Sequence, residues 1–170
     1  SEGGVLAVWE TELIRDPLEN MNEEEYTRHN LTPEQQSAWE KIQIALQDSK
    51  TGKPVQPILI YGVTGSGKTE LYLRAAEHVL AQGKQVIWLV PEISLTPQTV
   101  GRLMYRFPGM VGLVHSRLTP GERFDTWHRA RQGKIRIITG ARSAMFTPVQ
   151  QIGLIIVDES HDASYYQDED

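Results

Sequence analysis

The sequence predicts an α/β fold, a parallel sheet with helices on both faces. Three observations carry that expectation. Short apolar runs recur along the chain without alternating with polar residues, as strands buried on both faces do. Stretches of helical periodicity, 10–15 residues long, separate those runs, which is the spacing of parallel strands joined by crossover helices. A glycine-rich loop sits between the first apolar run and the helix that follows it.

Taken in order, residues 1–30 are acidic, lack sustained periodicity and read as a linker from upstream domains. "LTPEQQSAWEKIQIALQDSK" reads as a helix, with Thr32 as N-cap, Pro33 at the first helical position, and Ala38, Ile42, Ala45 and Leu46 at helical spacing. "TGKP" ends it. "PILIY" (57–61) is the first expected strand. A helix from Lys68 to about Gln82 presents Leu71, Ala75, Val79 and Leu80 on one side, and Gly83 suits its C-terminal cap. "QVIWLV" (85–90) is the second strand, followed by a helix across "TPQTVGRLMYRF". "VGLVH" (111–115) is the third, and a helix through "GERFDTWHRARQ" ends at Gly133. "IRIIT" (135–139) and "IGLIIVD" (152–158) are the fourth and fifth. In a sheet of this kind ligands are expected at the carboxyl ends of the strands.

The 170 residues, 39% of them hydrophobic, suit one domain with a real core. The chain has no cysteine, so disulfides and cysteine-ligated zinc are excluded, and its five histidines make no pair at ligand spacing. No apolar run reaches the ~20 residues that span a bilayer. "GVLAVW" is too short and lacks the basic flank of a signal peptide, so the cytoplasm is the expected location and no membrane partner is expected. The net charge of −5 hides an uneven distribution. Residues 1–30 carry eight acids and two bases, and residues 158–170 carry six acids and no base. From Lys84 to Arg142, ten bases face three acids.

"GVTGSGKT" fits a phosphate-binding loop: Gly62, Val63, Thr64, Gly65, Ser66, Gly67, Lys68 and Thr69. Its glycines let successive N–H groups turn inward toward phosphate oxygens. Lys68 supplies a point charge for the terminal phosphates, the Thr69 hydroxyl can hold Mg2+, and the next helix aims its positive end at the same place. Asp158 and Glu159 end the last strand. Asp158 is expected to hold Mg2+, and Glu159 to orient or activate an attacking water. The chain thus reads as a P-loop nucleotide hydrolase using ATP and Mg2+, with Lys68 and Glu159 as its catalytic residues. No Asn-Lys-x-Asp guanine reader occurs, and small-molecule kinases usually lack the glutamate after the strand aspartate.

Six segments in order, "LTPEQ", "YGVTGSGKTELYL", "VPEISLTPQT", "HSRLTPGER", "TGARSAMFTP" and "DESHDASYYQ", resemble superfamily 2 helicases of the DExH type. More closely they resemble the bacterial primosomal replication-restart helicases, over residues 31 to 167. The resemblance implies a RecA-like lobe over residues 31–170 of an ATP-driven 3′→5′ DNA helicase that binds forks and D-loops. It implies primosome proteins and single-strand-binding protein as partners. By position, Gln35 would read the adenine edge, and Thr96, Gln98, Arg142 and Ser143 would track single-stranded DNA. His161 would couple the two sites, and Tyr165 and Tyr166 could stack on bases. Ser160 and Tyr166 depart from the family pattern, where a glutamate and a lysine are common.

Motors of this class place ATP between two lobes, and the second supplies an arginine to the transferred phosphate. The chain therefore reads as one lobe, expected to bind nucleotide, hydrolyse it poorly and unwind nothing alone. Two other readings stay open: a small oligomeric ATPase or switch whose neighbour supplies the arginine, and a binding module with a vestigial site.

Overall fold

Residues 85–90 show how an apolar run becomes a central strand. Val86, Trp88 and Val90 face one core cluster, with Leu73, Ala76, Val79, Val100 and Leu103. Ile87 and Leu89 face a second cluster, with Val114, Leu118, Ala130 and Ile138. Every side chain of the run is buried, so alternation of faces leaves no alternation in the sequence.

The computed structural model describes residues 14–19, 21–22, 25, 28–48, 56–63, 65–162 and 165. Its elements are α1 (Pro33–Asp48), α2 (Lys68–Ala81), β1 (Gln85–Leu89), α3 (Pro97–Arg106), β2 (Val111–Val114), α4 (Pro120–Arg131), β3 (Ile137–Gly140) and β4 (Ile152–Val157). Short 3-10 turns, Glu92–Ser94 and Arg142–Phe146, follow β1 and β3. The sheet runs β2-β3-β1-β4 and all its pairings are parallel. Helices α2 and α3 cover one face of it and α4 the other, as the sequence predicts. Thr119 and Glu122 form a full capping box at the start of α4. In α1, Ile42 packs on Leu71 and Ala75 of α2, with Ala38 and Leu46 beside it.

The fold corrects one expected element. Residues 56–60 belong to no strand, so the described sheet has four strands and not five. Burial of an apolar run signals a strand only where a neighbour offers a ladder, and Pro57 also brings no N–H to one. Ile60 packs against the α1–α2 cluster, while Leu59 is 81% exposed and Tyr61 97%. The edge strand β4 likewise leaves Ile152, Ile155 and Val157 exposed.

The described part of residues 14–22 docks onto the domain. Leu18 is buried in the first core cluster. Asp16 accepts from Arg129 of α4 at 2.5 Å, and Asp125 accepts from the Arg15 amide at 2.9 Å.

Two buried features set the ends of the strands. Gln85 donates to the carbonyls of Ala130 and Ile135, both at 2.9 Å, and accepts from the Gln150 amide at 2.9 Å. One buried amide thereby ties α4, the approach to β3 and the approach to β4. At the other end, a Cβ on Gly140 would run into the Val114 carbonyl oxygen and come within 2.9 Å of the Ala144 Cβ. Gly140→Ala is expected to cost about 1–3 kcal/mol by overpacking, read as a lower urea midpoint at unchanged slope.

Candidate nucleotide site

The phosphate loop needs its glycines. Gly65 and Gly67 both adopt φ near +81°, the left-handed region that side chains with a Cβ disfavour. Gly67 is the N-cap of α2 and brings no side-chain cap, so the first turn of that helix keeps N–H groups for an anion. A Cβ on Gly67 would also collide with the Gln35 amide.

Gln35 has two tasks in this geometry. Its Oε1 accepts from the Thr32 amide at 2.9 Å while Thr32 Oγ1 accepts from the Gln35 amide at 3.3 Å, a capping box at the start of α1. Its Nε2 donates to the Ser66 carbonyl at 2.8 Å, which fastens α1 to the phosphate loop. Lys68 Nζ donates to the Gly62 carbonyl at 2.5 Å and the Val63 carbonyl at 2.9 Å, so the ammonium lies at the mouth of the loop. Thr64 lies outside the described residues.

Asp158 extends the sheet by one bond, its amide donating to the Leu89 carbonyl at 2.9 Å. Thr69, Asp158 and Glu159 line one cavity of about 180 Å³ together with Ser94, Thr99 and Arg102. The fold therefore brings the three expected polar residues together from α2 and from the tip of β4. Burial holds the Asp158 carboxyl above the ordinary carboxylate range, and the Glu159 charge adds to this. A hydrogen bond from the Glu159 amide, at 2.9 Å, and the Lys68 charge pull the other way. Lys68 and Asp158 thus act on each other electrostatically. A hydroxyl and a half-buried carboxylate are hard oxygen donors of the kind Mg2+ accepts alongside substrate phosphates.

An acid whose folded pKa is raised binds its proton more tightly folded than unfolded. Stability then falls as pH rises from the ordinary carboxylate value through the folded one, and the deficit is complete above it. Asp158→Asn removes that deficit. Its melting temperature at pH 7 is expected to exceed the parent's by about 1–2 °C, small because the carboxyl is only half-buried. The gap should close below roughly pH 4, where the parent carboxyl is protonated in both states.

Glu159 carries the one positive φ, 49°, found outside glycine among the described residues. Its carboxylate accepts from Ser94 Oγ at 3.0 Å. Sequence reasoning passed over Ser94, because nothing local announces a contact across 65 residues. Missed too was the ion cluster behind the phosphate loop. Glu70, 3% exposed and next to Thr69, receives Arg74 at 2.8 Å, and Arg106 of α3 donates to Glu77 at 2.6 Å.

The residues expected to meet DNA fall into two groups. Thr96, Gln98, Arg142 and Ser143 are all exposed, on the segments that follow the neighbouring strands β1 and β3. Thr96 is also the N-cap of α3, accepting from the Thr99 amide at 3.2 Å. His161 is exposed in the turn after Asp158. Tyr165 differs: it packs against the second core cluster and donates its hydroxyl to the Asp158 carbonyl at 3.1 Å. Burial pushes its phenol well above the usual tyrosine range. That position braces the Asp158 turn. Tyr166 lies outside the described residues. Of the ten bases between Lys84 and Arg142, Arg106, Arg129 and Arg136 make contacts inside the domain, which reduces the charge offered to a partner.

A parallel α/β domain with a phosphate loop opening α2 and an acidic pair ending β4 has the RecA-like P-loop architecture. The chain belongs to the DEAD/DEAH box helicase family, which matches it over residues 32–170. Within that family it is similar to Replication restart protein PriA. The Bacillus subtilis (strain 168) protein is 46% identical over 166 residues, covering 98% of this chain and 20% of that protein. The Synechocystis protein is 41% identical over 167 residues, 96% of this chain and 19% of its own length. The Haemophilus influenzae protein is 54% identical over 109 residues, 64% of this chain and 15% of its own length. The chain spans about a fifth or less of the curated relatives it matches. No described helix is long and apolar enough to cross a membrane.

Proposed function

We propose that this chain is the ATP-binding lobe of an ATP-dependent 3′→5′ DNA helicase acting in replication restart at stalled forks and D-loops. The observation that carries the reading is the meeting of Thr69, Asp158 and Glu159 around one cavity beside the phosphate loop. Residues 62–69 would cradle the phosphates, the Lys68 ammonium would balance charge on the terminal pair, and Gln35 would read the adenine edge. Mg2+, held by Thr69 and Asp158, would neutralise charge building on the transferred phosphate. Glu159 would orient a water toward the γ-phosphorus and take its proton. The new oxygen–phosphorus bond forms as the bond to the β-phosphate oxygen breaks, which gives ADP and inorganic phosphate.

Thr96, Gln98, Arg142, Ser143 and His161 would face single-stranded DNA at the carboxyl ends of the strands, with primosome proteins and single-strand-binding protein as partners of the whole machine. A second lobe would supply the arginine that completes the transition-state site, so the lobe alone would bind nucleotide, hydrolyse little and unwind nothing. Steady-state ATP turnover with and without forked DNA tests this. Slow turnover, raised at most modestly by the fork, is the expected result. Brisk turnover without DNA would favour a self-sufficient oligomeric ATPase, and strong stimulation by the fork would show that one lobe suffices.

A further inference from the structure

We infer that Ser94 is a positioning residue that restrains Glu159, so that engagement of single-stranded DNA on the segment after β1 frees the carboxylate for hydrolysis. The inference deepens the proposed function and rests on it. The Glu92–Ser94 turn is held at both ends. Glu92 accepts a hydrogen bond from Ser116 Oγ, in the turn after β2, and Ser94 Oγ donates to Glu159 Oε2 at 3.0 Å. Two residues beyond Ser94, Thr96 opens α3, with Gln98 exposed in its first turn. The contact therefore joins the proposed DNA segment to the proposed water-activating carboxylate with no intermediary.

The restraint opposes hydrolysis for two reasons visible at Glu159. The hydrogen bond aims one carboxylate oxygen at the wall of the cavity, where Ser94 itself is part of the lining. The backbone at Glu159 holds φ 49°, a left-handed conformation that a residue with a side chain keeps only while surrounding contacts over-determine it. Its turn is closed by the Asp162 amide donating to the Glu159 carbonyl at 2.8 Å and by the Glu159 amide donating to Asp158 Oδ1. Loss of the Ser94 contact removes the one that reaches the side chain from the DNA-facing segment. A residue in a strained backbone conformation, tied by a half-buried hydroxyl to the segment after β1, is a two-state element that a ligand on that segment can bias.

The test is single-turnover hydrolysis of γ-labelled ATP by the parent chain, Ser94→Ala and Ser94→Thr, with and without single-stranded DNA, alongside ADP affinity. Ser94→Ala is expected to raise the DNA-free rate roughly fivefold, the factor supplied by one net hydrogen bond. The ratio of rates with and without DNA should shrink, and ADP affinity should stay as in the parent. Ser94→Thr, which keeps the hydroxyl, should return both rates toward the parent. A DNA-free rate in Ser94→Ala no higher than the parent's, at unchanged ADP affinity, overturns the inference. A fall would mean that Ser94 orients Glu159 productively, which overturns it equally. Failure of the underlying site reads differently: Lys68→Ala would then bind ADP as the parent does, whatever the serine variants do.

Discussion

In the Lys68→Ala protein, labelled ADP is expected to bind at least ~100-fold more weakly than in the parent, the loss of two charge-assisted contacts. The lysine opens α2, with its ammonium at the carbonyls of Gly62 and Val63, where a terminal phosphate would meet both the loop and the helix end. Its charge already acts on Asp158. Those contacts are local to a half-buried side chain at the domain surface, so the fold should survive. Circular dichroism and thermal melting close to the parent's would separate a lost site from a lost fold. Binding that persists unchanged in a folded variant would remove the lysine from the site.

Glu159→Gln is expected to cut single-turnover hydrolysis by ~10²-fold or more while ADP affinity stays within about twofold, because removing a general base acts on the transition state and not on ground-state binding. Glutamine keeps the shape and an acceptor for Ser94, so the turn at residue 159 should not change. Asp158→Asn should behave differently: weaker nucleotide binding in the presence of Mg2+ with little change in its absence. If both variants failed in the same way, the division of labour between the two carboxylates would be wrong.

Much of this was legible because it is local. The octet from Gly62 to Thr69 declares its own geometry, since two of its glycines must adopt positive φ. Helix α2 follows from the spacing of Leu71, Ala75, Val79 and Leu80, all of them buried. Asp158 and Glu159 are legible as a strand tip because the apolar run before them can end nowhere else. What escaped depends on partners distant in sequence. "PILIY" has the composition of a strand, yet pairing needs a neighbour, and a run of apolar residues carries no information about one. Gln85 looks like an ordinary polar flank, while the fold uses its amide to join three elements. Leu18 sits in a stretch with no period, so its place in the core is invisible until α3 and β2 come together beneath it. Tyr165 reads as a base-stacking ring from its place in the motif, and nothing local announces the bond from its hydroxyl to the Asp158 carbonyl.

The proposed function stands on Lys68, Thr69 and Asp158 forming one site for a nucleotide and Mg2+. Equilibrium binding of labelled ADP to the chain, with Mg2+ present and then chelated, is the decisive experiment. One ADP per chain, competed by ATP and weakened when Mg2+ is withdrawn, is the expected result. No saturable binding, or binding indifferent to Mg2+, would contradict it.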